Sequence, residues 1–242
     1  MIRGIICSEP SDIESRYQAH EGSVTCVAFG PNKLVATAGP DGCIKLWDLA
    51  SSKKEKGSIR AIRSPPSCIS FSTSGHAMAV ATTNNKDNYN VKILSTNKKG
   101  LPGKTTLEGH LEMVNSVTFT RNSNNVVSAS QDKTVRIWDL QTGKDKRLPL
   151  VTSFANSVDV NSSDSLCVVG FNSGALKTWN MHDKAIASKF DSMHDFAVTC
   201  VKFLPGDDKV ASMSKDNTIK VTDLRMLKTL FTLEDMNLCI KG

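Results

Sequence analysis

A histidine, a hydroxyl residue, an aspartate and a tryptophan recur in one fixed order along the chain. They are His20, Thr37, Asp41 and Trp47, then His110, Ser128, Asp132 and Trp138; a third set has His194, Ser212 and Asp216 with Thr222 in the aromatic position. Serine, histidine and aspartate are the residue types of a nucleophilic triad. Their repetition points elsewhere, because a catalytic site is normally built once and no G-x-S-x-G turn is present. His76 and His182 have no companions at metal-ligand spacing. The seven cysteines (Cys7, Cys26, Cys43, Cys68, Cys167, Cys200, Cys239) are scattered and never spaced C-x-x-C, so neither a zinc site nor a disulfide framework is expected. These residues predict a non-catalytic protein with no metal and no cofactor.

The elements that must position these residues repeat with them. Leu34 to Leu49, Val126 to Leu140 and Val210 to Leu224 are copies of one segment, and Met78 to Ser95 and Leu166 to Met181 are weaker copies. The positions equivalent to tryptophan are Trp47, Leu94, Trp138, Trp179 and Thr222, spaced by 47, 44, 41 and 43 residues. Each unit alternates with period two, as in Val24 to Phe29, Val114 to Phe119 and Val198 to Phe203, which reads as strand. Three strands per unit and a fourth in the linking stretch (58–63, 105–108, 185–190, 227–233) predict four-stranded antiparallel sheets. Phe29, Phe71, Phe119 and Phe203 close the first strand of their units and read as packing core; Cys26 and Cys200 share a strand phase and read as small buried apolar residues.

A period of about 40 to 45 residues, with Gly109-His110 leading to Trp138-Asp139 and Trp47-Asp48 repeating the second dipeptide, resembles the WD40 β-propeller family. The expected fold is all-β, with about five blades of a seven-bladed propeller. The expected limits are an extension over 1–10, a repeat domain over 11–233 and the start of a further repeat over 234–242. The five units run approximately 11–52, 53–97, 98–143, 144–183 and 184–225. The resemblance implies that histidine, hydroxyl, aspartate and indole form a structural network in each strong unit. It also implies that partners dock beside that network, where Glu21, Pro40, Glu112, Gln131, Asp195 and Lys215 stand.

Strong, irregular, strong, degenerate and tryptophan-less units follow one another, and the fifth reads Lys220-Val-Thr-Asp-Leu-Arg225. This order is similar to the C-terminal propeller of the autophagy-related protein sixteen-like family. That resemblance implies a scaffold in autophagosome assembly that brings a conjugate of two other proteins to membranes, where a ubiquitin-like protein is joined to phosphatidylethanolamine. A generic WD40 adaptor in signalling or ubiquitin ligation stays open beside it.

The net charge of +6 suits anionic partners without defining them. Twelve of the 30 Lys and Arg residues follow the tryptophan-type positions. Lys53, Lys54, Lys56, Lys98, Lys99, Lys144, Lys146 and Arg147 head this set, which predicts a basic rim of connecting loops. Solvated lysines explain such a rim as readily as contact with anionic lipid or nucleic acid does, and clustered aromatics for base stacking are lacking. No run reaches the roughly 18 apolar residues of a membrane span, and Glu9 and Pro10 interrupt the apolar start. A cytoplasmic setting is expected, with the nucleus also open. Seven repeats of about 42 residues would need roughly 290, so the 242-residue chain reads as a fragment or shortened form with an open arc of blades.

Overall fold

The computed structural model describes residues 19–50, 55–59, 64–83, 89–96, 105–149 and 151–234. Within them every regular element is a strand, and the strands form five four-stranded antiparallel sheets. The first blade is β1(Cys26–Phe29), β2(Leu34–Ala38), β3(Ile44–Asp48) and β4(Glu55–Ile59). The second is β5(Pro66–Phe71), β6(Ala77–Thr82), β7(Val91–Ser95) and β8(Thr105–Leu107). The third is β9(Val114–Phe119), β10(Asn125–Ser130), β11(Val135–Asp139) and β12(Asp145–Arg147). The fourth is β13(Ala155–Val160), β14(Leu166–Phe171), β15(Leu176–Asn180) and β16(Ile186–Phe190), and the fifth is β17(Val198–Phe203), β18(Lys209–Ser214), β19(Ile219–Asp223) and β20(Lys228–Leu233).

Strands in each sheet follow chain order, with the outermost drawn from the stretch that leads to the next unit. Two outer strands differ from expectation. The first lies at Glu55–Ile59 rather than 58–63, and β12 spans Asp145–Arg147, a charged segment without alternation that gives no strand signal. Its backbone pairs with β11, Arg136 with Arg147 and Trp138 with Asp145, and the Arg136 guanidinium bonds the Asp145 carboxylate at 3.1 Å.

The inner strands pack side by side in chain order, β1 on β5, β5 on β9, β9 on β13 and β13 on β17. The core lies in the seams. Ala36, Ala38, Ile44 and Leu46 of the first blade meet Ile69, Phe71, Met78 and Leu94 of the second. Val127, Ala129 and Val135 of the third meet Val158, Val160, Phe171 and Trp179 of the fourth. The strand-closing phenylalanines divide by seam: Phe71 and Phe119 are 9% and 7% exposed, whereas Phe29 is 76% exposed. Phe29 points away from the second blade, and no described blade covers that side of the first. Phe203 is half-buried, and on the far face of the fifth blade Phe231 and Leu233 are exposed. The five blades form an open arc.

Candidate functional site: the tetrad face

In the third blade the four residues meet as one chain of hydrogen bonds. The Trp138 indole N–H donates to Ser128 Oγ at 2.8 Å. Ser128 Oγ and His110 Nε2 are 2.7 Å apart, and His110 Nδ1 is 2.7 Å from Asp132 Oδ2. The carboxylate needs a proton on Nδ1, so the hydroxyl donates to Nε2 and accepts from the indole. Asp132 also accepts from the Leu111 and Thr134 amides and the Thr134 hydroxyl. Burial pushes the Asp132 carboxyl up, but the bonds from His110 and Thr134 outweigh it and hold the group far below the usual carboxylate range. Burial also holds His110 below its ordinary value, against the opposing pull of Asp132. The resulting pair is neutral imidazole and carboxylate.

The first blade repeats the arrangement more loosely. Trp47 donates to Thr37 at 2.9 Å, His20 lies 3.0 Å from Thr37, and His20 Nδ1 is 3.2 Å from Asp41. The fifth blade keeps the polar half, with His194 2.9 Å from Asp216 and 2.8 Å from Ser212. Its indole position holds Thr222, which donates to Met193 Sδ at 3.6 Å. Met193 is 6% exposed, and its soft side chain occupies space that an indole takes elsewhere. In the fourth blade Val169 stands opposite Lys177, as Ser128 stands opposite Arg136. Without that hydroxyl, Trp179 donates to the Pro149 carbonyl. The turn there uses Gly174, where a Cβ would fall 2.0 Å from the His194 carbonyl oxygen, so only glycine admits the fifth blade's histidine loop at that distance.

Two features of this face escape a reading of single units. Thr134 and Thr218 each bond both members of their His–Asp pair. The third strands also carry Lys45, Lys92, Arg136, Lys177 and Lys220 at one register step. Arg136 is 2% exposed; it donates to the Gly109 carbonyl and pairs with Asp145 at 3.1 Å. Lys220 does the same for Met193 O at 2.7 Å. A cation at this step ties down the carbonyl just before the histidine.

Around the networks Glu21, Pro40, Glu112, Asp195 and Lys215 are exposed. Gln131 is half-buried and holds Asn115 through its side-chain amide at 3.4 Å. The structure adds three apolar residues to this surface. Leu111, Phe154 and Phe196 occupy equivalent connections into β9, β13 and β17 and are 77%, 38% and 63% exposed. Lys133 Nζ sits 5.7 Å over the Phe154 ring. A sequence pattern could have flagged them as large apolar residues in loops, where no strand alternation requires them.

The basic set is distributed differently from expectation. Lys53, Lys54, Lys98 and Lys99 lie outside the described residues, as do Cys7, Cys239 and residues 235–242. Lys144 is in a loop, but Lys56 lies in β4 and Lys146 and Arg147 in β12, all exposed. These side chains stand on outer strands instead of in loops, because β4 begins closer to the tryptophan position than the expected 58–63 and the charged segment Asp145–Arg147 is itself a strand. His76 and His182 are exposed, and among the described residues no three His, Cys, Asp or Glu side chains group as metal ligands. No helix there is long and apolar enough to cross a membrane.

Sequential four-stranded blades whose tetrads link the loop before the inner strand to the turn between the middle strands define a WD40-type propeller scaffold. The family model for the WD domain, G-beta repeat, matches residues 12–48, 103–139 and 188–223, and the chain carries WD40 repeats. Those segments are the three units with a His–Asp pair. The chain is 28% identical over 239 residues to Protein tipD of Dictyostelium discoideum, covering 96% of this chain and 38% of that protein. It is 28% identical over 229 residues to Autophagy-related protein 16 of Arabidopsis thaliana, covering 93% of this chain and 43% of that protein. Nuclear distribution protein nudF of Aspergillus niger is 27% identical over 249 residues, with 91% and 55% covered. The chain thus spans 38 to 55% of the length of these relatives.

Proposed function

We propose that this chain is a non-catalytic docking scaffold that receives a protein partner on its tetrad face. The observation that carries this reading is the row of Leu111, Phe154 and Phe196 on successive blades, exposed on a surface whose neighbouring loops are pinned by buried networks. Apolar side chains held on rigid loops lose little freedom on binding, and aromatic anchors of this kind carry much of the energy of an interface. The His, Ser and Asp groups are consumed by structural bonds, which supports a role without turnover.

The finer reading is a part in autophagosome assembly, in the cytoplasm and at membranes through partners. Its support is the similarity to Autophagy-related protein 16 over 93% of this chain, together with the unit order noted above. The test is affinity purification of the chain beside Leu111→Asp/Phe196→Asp, two exposed changes that leave the melting temperature unmoved. Recovery of autophagy conjugation proteins with the parent chain and their loss with the variant supports both readings. Loss of a different partner set keeps the docking face and overturns the autophagy role. Equal recovery with both proteins overturns the docking face.

A further inference from the structure

At the end of the strands opposite the tetrads, the turns that join first to second strands are tied across the seams by one repeated bond. The Thr73 amide donates to Ser123 Oγ at 3.1 Å. The Arg121 and Asn122 amides donate to the Asp164 carboxylate at 2.6 and 2.9 Å, and the Ser162 amide to the Asp207 carboxylate at 3.0 Å. Each acceptor belongs to the following blade, four residues past the end of its first strand, where φ is 59°, 57° and 62°. Three seams are thus closed by a side-chain oxygen held against backbone N–H groups.

The first seam breaks this rule on both sides. Gly75, with φ of 72°, stands where the other blades have Ser123, Asp164 and Asp207, and it has no side chain. Pro31 stands where Thr73, Arg121 and Ser162 stand, and it has no N–H. A Cβ on Gly75 would fall 2.7 Å from Pro31 Cγ, so no acceptor side chain fits at this step. A cavity of about 170 Å³ opens beside Gly75 instead. Asn32 and Lys56 line it from the first blade and Ser74 and His76 from the second, all four exposed and each able to donate a hydrogen bond. The Thr96 hydroxyl and amide hold the Gly75 and His76 carbonyls, which fixes the second blade's wall. Asp48 is the one carboxylate in the lining; it is engaged by the Ala50 amide at 2.9 Å, and Lys56 offsets its charge. Donors on two walls suit a tetrahedral oxyanion, whose oxygens point to all sides, better than a carboxylate, whose two oxygens point one way.

We propose that this cavity binds a phosphate monoester, whose oxygens bridge the first and second blades as the Asp164 and Asp207 carboxylates bridge the blades beyond. The bound group supplies the acceptor that Gly75 cannot carry, and because it touches both blades it stabilises the seam between them. The cavity lies at the opposite end of the strands from Leu111, Phe154 and Phe196, so phosphate and a partner on the tetrad face bind without competing.

The test titrates the full chain with inorganic phosphate by calorimetry. Saturable binding is expected, weakened about tenfold in Lys56→Gln and in His76→Gln by the loss of one bond to a charged ligand, and unmoved in Lys146→Gln on β12. Phosphate should also raise the melting temperature of the parent chain more than that of Lys56→Gln. Phosphatidylcholine vesicles with and without phosphatidic acid then separate the sources of the group. Sedimentation with phosphatidic acid that phosphate displaces and Lys56→Gln abolishes assigns it to a lipid headgroup, whereas phosphate binding without sedimentation assigns it to a soluble monoester. No saturable binding of phosphate by the parent chain, or equal binding by the parent, Lys56→Gln and His76→Gln, would overturn the proposal.

Discussion

The third and fifth blades place histidine, serine and aspartate within 0.2 Å of the same separations, 2.7 and 2.7 Å against 2.9 and 2.8 Å, yet the third has an indole and the fifth a methionine beneath them. The difference separates the two jobs of the network. The aspartate, with its threonine and the following amide, orients the histidine in both blades. The indole fills volume and donates to the hydroxyl oxygen; in the fifth blade Met193 supplies the volume but no such donor, and the one Ser212 proton is shared between His194 Nε2 at 2.8 Å and the Lys220 carbonyl at 3.4 Å. The polar half therefore stands without the aromatic half, but with a weaker bond at its inner end.

That comparison is broken or sharpened most strongly at the aromatic. Trp138 is 1% exposed, and Trp138→Ala should cost about 3–5 kcal/mol from the cavity and the lost contacts. Met193→Ala in the fifth blade should cost about 2–3 kcal/mol. Denaturant unfolding midpoints measure both, and a larger loss at Met193 would show that the fifth blade depends on its core more than the third does.

The carboxylates should follow in graded order. Asp132, Asp216 and Asp41 side chains are 4%, 9% and 32% exposed, and solvent weakens what each bond contributes. Asp132→Ala should cost about 3 kcal/mol, Asp216→Ala about 2 and Asp41→Ala about 1, since a charged hydrogen bond contributes about 1.5–3 kcal/mol when buried. Asp164 belongs in the same series. From its loop it looks exposed and idle, but it is half-buried and its carboxylate accepts from the Arg121 and Asn122 amides of the neighbouring blade at 2.6 and 2.9 Å. Asp164→Ala should cost about 1 kcal/mol, still less than Asp132→Ala. Equal melting temperatures for Asp132→Ala and Asp164→Ala would remove the special place given to the tetrad.

The smallest effect is the response to mild acid. His110 and His194 are both held below the ordinary 6.5 by burial, against the bonds from their aspartates. The unfolded chain then binds protons that the folded chain refuses, so stability is full above 6.5 and declines as pH falls below it. The carboxylates extend the decline below 3.8: despite burial, their bonds hold Asp216 down to about 2 and Asp132 lower still. Thermal melts between pH 7.5 and 3 should show a steady downward drift, less steep in His110→Gln. A flat profile down to pH 5 would mean that the histidines are not held neutral.

Much of this architecture was legible in the sequence because a blade is a local object. Spacing of the tryptophan-type positions and period-two alternation lie within one unit, and the tetrad order lies within about 30 residues. What the sequence concealed lies between units. Phe29 and Phe119 look alike as strand-closing residues, and only the presence or absence of a covering blade distinguishes them. Asp164 bonds a turn more than 40 residues away, and Cys26 Sγ accepts from the Ile69 amide only because two inner strands run side by side. Arg136 was lost among exposed lysines, since alternation does not tell which cation has a carbonyl waiting for it.

The seams carry a dynamical consequence. Among the described residues the inner strands pack in chain order, so the five blades behave as a short linear array in which unfolding spreads between nearest neighbours. The third blade is released only when seams on both sides give way, whereas the first is held by one. Backbone amides of β9 to β11 are therefore expected to exchange with solvent slowest and those of β1 to β3 fastest, a gradient of local opening along the arc. Any partner seated across Leu111, Phe154 and Phe196 would grip the central blade and tie the fifth, an end of the array, to it.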